Sequence, residues 1–371
     1  MRSAWIEVNL DAISHNVREV KRFVGEGRKV MAVVKANAYG HGLIEVASTS
    51  VEAGADAMCV AILEEAIQLR DAGLHVPILV LGPGRPEHAE ELVHRGVSQM
   101  VSEIGLPQAL SREAVRQRSV AQVHVKVDTG MGRIGISSSE MEAFIRKIRS
   151  LPGVEIEGMA THFSTADGPD LDYARIQLRR FCTLLREIER TGVALRWRHA
   201  ANSGATVRLP ESHLDGIRTG LLLYGIPPTP DPPPMGLMPA LTLKARITQV
   251  KEVGKGESIS YGRTFVTERP SRLALVPVGY ADGYSWYLSN RGSVLVKGRK
   301  VPIRGRVCMD QFVVDVTDVR DVCLGDEVVL IGAQDGQIIS VWDIVSATGS
   351  VPHEVVSTLG VRLPRVFVGG A

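Results

Sequence analysis

Residues 29–42 read Lys29-Val30-Met31-Ala32-Val33-Val34-Lys35-Ala36-Asn37-Ala38-Tyr39-Gly40-His41-Gly42. The unbroken apolar run from Val30 to Val34 suits a fully buried strand, and Asn37, Gly40 and Gly42 mark its end. Lys35 sits where that strand breaks into the turn. Partial desolvation there lowers an amine's pKa and raises its free-base fraction, as a Schiff-base or proton-transfer lysine requires. The structural alternative is a strand-end lysine whose stem lies on apolar surface while its ammonium reaches water.

Working outward, the same unit repeats. Strand-like runs fall at Val30–Val34, Ala57–Ile62, Pro77–Leu81, Val97–Val101, Val123–Val127, Val154–Ala160, Leu195–His199 and Leu214–Ile217. Amphipathic stretches such as Asp11–Val24, Glu64–Ala72 and Asp172–Thr191 lie between them and predict helices. Eight strand–helix units in about 225 residues is the count and length of a (β/α)8 TIM barrel. An open doubly wound sheet usually has fewer strands and a single switch point. From Pro227 to Pro239, seven of thirteen residues are proline, which predicts a stiff connector rather than a helix or central strand. Beyond it Leu241, Leu243, Ala245 and Ile247 alternate with Thr242, Lys244 and Arg246. That period of two, repeated in runs at Arg272–Val278, Ser293–Lys297, Gln311–Val316, Val328–Ile331 and Gln337–Val341, predicts a C-terminal all-β domain. The expected division is a barrel over residues 1–231 and a β domain over 232–371, with the extreme N-terminus able to pair with the latter.

The 371 residues carry a net charge of +2, too near balance to point to nucleic acid or a membrane surface. No stretch approaches the roughly 20 apolar residues of a membrane span, and Met1–Glu7 does not read as a signal peptide. Cys59, Cys182, Cys308 and Cys323 form no CxxC pair, so neither a metal site nor a disulfide framework is expected and a cytoplasmic location is the default.

Barrel enzymes carry their chemistry at the C-terminal ends of the strands, and polar residues collect at those ends here. Lys35 and Tyr39 follow the first strand, and Lys126 to Arg133 close the fifth. Thr161-His162-Phe163-Ser164 closes the sixth, His199 to Gly204 the seventh, and Arg218-Thr219-Gly220 the eighth. Each has an ordinary structural reading. His162 could be a core histidine bonded to a backbone carbonyl, Ser203 a helix N-cap, and Arg218 the partner of Asp215. Free N–H groups at a helix start also bind phosphate, and in barrels the loops after strands seven and eight commonly do so. That makes Asn202, Ser203, Gly220 and Leu221 a candidate phosphate site. A lysine amine and a phosphate site in one barrel mouth point to pyridoxal 5'-phosphate. An arginine beside its pyridine nitrogen would keep that nitrogen unprotonated and favour simple proton return.

With these residues assembled, the chain resembles the alanine racemase family from Trp5 to Phe367. Val33-Val34-Lys35-Ala36-Asn37-Ala38-Tyr39-Gly40-His41-Gly42 is similar to that family's cofactor-lysine signature. Further matching blocks are Val127-Asp128-Thr129-Gly130-Met131-Gly132-Arg133, Tyr280-Ala281-Asp282-Gly283-Tyr284 and Gly305-Arg306-Val307-Cys308-Met309-Asp310-Gln311. The resemblance implies interconversion of L- and D-alanine, supplying D-alanine for peptidoglycan. It implies Lys35 as cofactor-bearing base and Tyr261, in Ser260-Tyr261-Gly262, as the base on the opposite face. Tyr261 would come from the second subunit of a head-to-tail homodimer with shared active sites. Tyr39, Ser203, Gly220 and Leu221 would hold the phosphate, and His162 with Arg218 would tune Tyr261. Arg133 and the Met309 N–H would bind the substrate carboxylate. Lys126 matches a lysine often carbamylated in the family, and Tyr284, Arg306 and Asp167 match an entry corridor, with Asp310 in a supporting block. His353 departs from the family's usual tyrosine, leaving the phosphate contact there open and suggesting serine as a second substrate. Two other readings are a non-catalytic cofactor carrier and a decarboxylase; the Tyr261 block and the racemase blocks in both domains speak against them.

Overall fold

The computed structural model describes residues 2–370. Strand β1 (Ala4–Asn9) and the helix Leu10–Val24 precede the first barrel strand. Short runs of branched and small apolar residues, buried on both faces, then form the eight strands of a closed parallel barrel. These are β2 (Lys29–Val33), β3 (Ala57–Val60), β4 (Ile78–Val80), β5 (Ser98–Val101), β6 (Ala121–Lys126), β7 (Val154–Ala160), β8 (Trp197–His199) and β9 (Gly216–Thr219). Pairing of Lys29 with Gly216 and of Val30 with Ile217 closes the ring. The eight predicted runs each coincide with one barrel strand, differing at their ends by a few residues. The intervening helices cover the outside with one apolar stripe each. In Asp172–Arg190 the buried set is Ala174, Gln177, Leu178, Phe181, Leu184, Leu185 and Ile188. Phe181 is completely buried, a gain of about 1.5–3 kcal/mol from its side chain alone.

The barrel-bearing unit comprises Ile13–Ala38 and Leu43–Leu237. The proline-rich stretch forms no helix or strand before β10 (Leu241–Arg246), since its prolines lack the N–H groups a ladder needs. The other unit comprises residues 2–12, Tyr39–Gly42 and 238–370. Its strands are β10, β11 (Gln249–Val253), β12 (Ser258–Ile259), β13 (Phe265–Val266), β14 (Ser271–Val276), β15 (Ser293–Val296), β16 (Arg299–Arg304), β17 (Phe312–Asp315), β18 (Glu327–Gln334), β19 (Gln337–Ile339) and β20 (Arg365–Val368). One sheet runs β11-β14-β17-β16-β15-β18-β10-β1-β20, with β19 added to β18. Strand β1 lies antiparallel to β10, Ile6 opposite Leu243, and parallel to β20, Ile6 opposite Arg365.

This unit is not all-β. Helices occupy Val341–Thr348 and Pro352–Ser357. The expected strand Gln337–Val341 stops at Ile339 because Ser340 caps the following helix. Its hydroxyl accepts the Asp343 N–H at 3.1 Å while the Asp343 carboxylate accepts the Ser340 N–H at 2.7 Å, a reciprocal capping box. Tyr39–Gly42 packs into the same unit through Gly40, which has φ +82° and would place an added Cβ 2.3 Å from the Val356 carbonyl oxygen. No helix of the described residues is long and apolar enough to cross a membrane.

Candidate active site

The chain leaves β2 in a conformation L-residues rarely adopt. Ala36, Asn37, Ala38 and Tyr39 all have φ of +52 to +54°, a left-handed turn costing roughly 1–2 kcal/mol per residue. Hydrogen bonds hold it: Ala36 N–H donates to Glu65 Oε1 at 2.6 Å, Leu43 N–H to Asn37 Oδ1 at 2.9 Å and Ala38 N–H to Val34 O at 2.8 Å. Beneath it, the buried Tyr224 hydroxyl donates to Val33 O at 2.9 Å. The turn sets the partly buried Lys35 at the strand's C-terminal end. Burial, then repulsion from Arg133, lowers its pKa below the ordinary lysine value, with Glu65 and Cys59 opposing.

Arg218, on β9, is 5% exposed and has no carboxylate partner among the described residues. Asp215 pairs instead with Arg198, at 2.6 and 2.7 Å. Arg218 Nη1 donates to His199 Nδ1 at 2.7 Å and His199 O at 3.0 Å. Nη2 donates to Thr161 O at 2.7 Å, Ala200 O at 3.0 Å and His162 Nδ1 at 3.3 Å. His162 thus meets a guanidinium rather than the backbone carbonyl of its structural alternative. Burial lowers the Arg218 pKa to about 10, so it stays cationic. Burial also holds His162 well below the usual imidazole range, reinforced by Arg218, Lys126, Arg133 and Lys35.

Asn202, not Ser203, caps the helix Ser203–Arg208, accepting the Ala205 N–H at 2.9 Å. Ser203 is therefore free to accept the Gly220 N–H at 3.0 Å, which leaves its hydroxyl proton available. Lys126 ends β6, 7% exposed, with one long contact to Val127 O at 3.4 Å. Burial and then Arg218 push its pKa well below the usual lysine value. The loop after it is wrapped on Asp128, which accepts N–H bonds from Gly130, Met131 and Gly132 at 2.8–2.9 Å. Arg133 follows this turn and is exposed.

In the β-rich unit, Tyr261 is 72% exposed. Its loop is strained, with Ser260 at φ +64° and Arg263 at +50°, and is braced by the Ser260 hydroxyl donating to Arg306 O at 2.7 Å. The Arg306 guanidinium lies 5.5 Å from the Trp286 ring centre. Met309 is 54% exposed and its carbonyl accepts the Ala281 N–H at 3.0 Å. Asp310 binds Arg362 at 2.7 Å. Tyr284 is buried and stacks on Phe312, centroids 5.2 Å apart. The Tyr39 and His353 rings lie 5.5 Å apart.

Family models described as "Alanine racemase, N-terminal domain" and "Alanine racemase, C-terminal domain" match residues 8–228 and 240–367. The chain belongs to the alanine racemase family. Alanine racemase 2 of Caldanaerobacter subterraneus is 46% identical over 370 residues, covering 99% of this chain and 95% of that protein. The crystal structure of alanine racemase from D-cycloserine-producing Streptomyces lavendulae superposes with a TM-score of 0.93 at 37% identity, covering 100% of this chain and 98% of that one. A histidine racemase from Leuconostoc mesenteroides subsp. sake superposes at 0.90 with 34% identity, covering 99% and 98%.

Within this member of the alanine racemase family, the barrel gathers Lys35, Lys126, Arg133, His162 and Arg218 closely enough to act on one another's charge. Asp167 is exposed and has no hydrogen-bond or ion-pair partner among the described residues. Two buried residues escaped sequence reading, His124 and Glu157, while His199 was read at the end of the seventh strand without a role. His124 shares strand parity with Lys126, which was the available signal. Glu157 gave none, because it sits at a β6–β7 irregularity where Val123 faces Ile156 but His124 faces Gly158.

Proposed function

We propose that this protein is a pyridoxal 5'-phosphate-dependent alanine racemase acting through two bases as a head-to-tail homodimer. The observation that carries the reading is the basic barrel mouth. Lys35, Lys126, Arg133 and Arg218 surround a neutral His162, and Arg218 has no carboxylate among the described residues to balance it. Such a site calls for an anionic ligand. The donor set fits pyridoxal phosphate: a desolvated amine, a serine hydroxyl proton beside the Gly220 amide, and an Arg218 Nε–H without a protein acceptor among the described residues. When bound, this group would delocalise the electron pair left on the substrate α-carbon.

Lys35 would carry the cofactor and move the α-proton on one face. Its lowered pKa favours the free amine that this requires. Arg218 would donate from Nε to the pyridine nitrogen without giving up its proton, and Ser203, Gly220 and Leu221 would hold the phosphate. Tyr261 of a second copy would serve the opposite face, because one fixed group cannot remove a proton from one side and return it to the other. Its exposure supports that assignment, as do the exposed Trp286 and Tyr287, whose rings lie 5.6 Å apart in the same unit: adjoining large apolar side chains on a surface mark interfaces. Arg133 and the Met309 N–H would bind the carboxylate. The relatives' names favour alanine; the neighbour named histidine racemase shows that this fold also serves a larger side chain.

Borohydride treatment of the yellow holoenzyme should fix the label at Lys35, and purified protein should interconvert L- and D-alanine. Tyr261→Phe should suppress racemisation far more than cofactor uptake. Label at another lysine, or unchanged turnover in Tyr261→Phe, would refute the respective assignment.

A further inference from the structure

Arg218 is the near end of a buried chain that links the neighbouring strands β9, β8, β6 and β7. Beyond His199, the Nε2 of that residue lies 2.8 Å from His124 Nδ1. His124 Nε2 lies 3.2 Å from Glu157 Oε2. Ser98 Oγ donates to the same carboxylate oxygen at 3.1 Å, and Arg196 lies 3.5 Å from the other. His199, His124 and Glu157 are 0, 2 and 4% exposed.

Proton positions follow from the two ends. A guanidinium only donates, so His199 Nδ1 must accept and its proton resides on Nε2. That N–H donates to His124 Nδ1, which places the His124 proton on Nε2. Glu157 must then accept, as a carboxylate does. All three links donate in one direction, from Arg218 to Glu157. This order leaves both imidazoles neutral, and burial lowers their pKa values, with Arg218 adding to the effect and Glu157 opposing it at His124. Burial raises Glu157, but its bonds from His124 and Ser98 and the charge of Arg196 leave it below its ordinary value.

The backbone is built around this chain. The β6–β7 irregularity places two residues of β7, Glu157 and Gly158, where regular pairing would place one, and a bulge of this kind re-aims a side chain. Gly158 makes the space for the ring, since an added Cβ would fall 2.6 Å from His124 Nδ1 and 2.7 Å from Trp197 O.

We propose that Glu157 is a positioning residue: by accepting from His124 it fixes the tautomers of His124 and His199, and thereby holds the Arg218 guanidinium so that Nε–H points to the cofactor. This rests on the function proposed above. In its absence, an inverted His199 would present an N–H to the Arg218 Nη1, and the guanidinium would have to rotate away.

The test is Glu157→Gln, whose amide can donate to His124 Nε2 and so permits inversion of the chain. Holoenzyme with 13C,15N-labelled histidine reports each imidazole's tautomer independently of turnover. We expect pure Nε2–H forms of His199 and His124 in the unsubstituted protein. In Glu157→Gln we expect mixed tautomers, a kcat about tenfold lower, as for outer partners of oriented histidines, and a KM within twofold. An Nδ1–H form of His199 in the unsubstituted protein overturns the proposal without any variant. So does loss of kcat with unchanged tautomers, which would make Glu157 merely structural, or inverted tautomers with unchanged kcat. Unsubstituted protein that neither takes up cofactor nor racemises alanine would defeat the proposed function, while the proton order would still be judged by the imidazole spectra.

Discussion

Replacing Ala36 with glycine, in the turn that presents Lys35, should not weaken the protein. Ala36 has φ +53° and ψ +53°, where a Cβ costs roughly 1–2 kcal/mol. Glycine removes that cost but loses about 0.5–1 kcal/mol through the freer unfolded chain. Little burial is lost because the Ala36 side chain is exposed. The backbone N–H bond to Glu65 at 2.6 Å is available to either residue. The balance is a gain of about 0–1.5 kcal/mol for Ala36→Gly. Ala36→Val adds a branched Cβ in the same left-handed conformation and should cost at least about 1 kcal/mol relative to alanine. Urea unfolding followed by far-ultraviolet circular dichroism would place the glycine midpoint above the parent and the valine midpoint below, at constant slope. Glycine and valine variants of equal stability, or a glycine variant weaker by more than 1 kcal/mol, would refute the assignment of strain to this turn.

Gly40→Ala meets the opposite situation, with φ +82° and a Cβ 2.3 Å from Val356 O; we expect a loss of about 2–4 kcal/mol, read from the same urea curves. His124, His162 and His199 are held neutral by burial, so their folded pKa values lie below the unfolded value of 6.5. The unfolded chain therefore binds more protons below pH 6.5, and stability is full above that pH and falls as pH drops, by about 1.4 kcal/mol per unit for each fully titrating histidine. Unfolding free energies flat between pH 7 and 5 would contradict buried neutral imidazoles. His353→Tyr should lower the kcat/KM ratio for serine over alanine several-fold in a racemisation assay; an unchanged ratio would remove His353 from side-chain selection.

The barrel was legible because β2 to β9 are buried on both faces and read as short apolar runs between amphipathic helices. Lys35, Arg218 and His162 were legible by their place at strand ends. The Glu157 chain was not, since it depends on a pairing irregularity that no residue of the sequence announces. A cap was the structural alternative for Ser203 because Ser and Asn both suit that role; the 2.9 Å bond from Ala205 to Asn202 decides between them. The helices Val341–Thr348 and Pro352–Ser357 were hidden by the neighbouring period of two, although Ser340 and Asp343 stand at the spacing of a capping box. Strand β1 was legible only as an N-terminus able to pair with the β domain, its register being set by β10 and β20 more than 200 residues away.

That remote pairing has a consequence for biosynthesis. After Asn9 leaves the ribosome, Arg365–Val368 are still about 20–70 s from completion at typical elongation rates. Throughout that interval Ile6 and Val8, which are completely buried in the finished sheet, have no β20 beside them. Every strand of the barrel, from Lys29 to Thr219, is synthesised meanwhile. The first strand made is thus among the last to be completed, and an extension that hindered residues 4–9 would act on the closing step of folding rather than on the barrel.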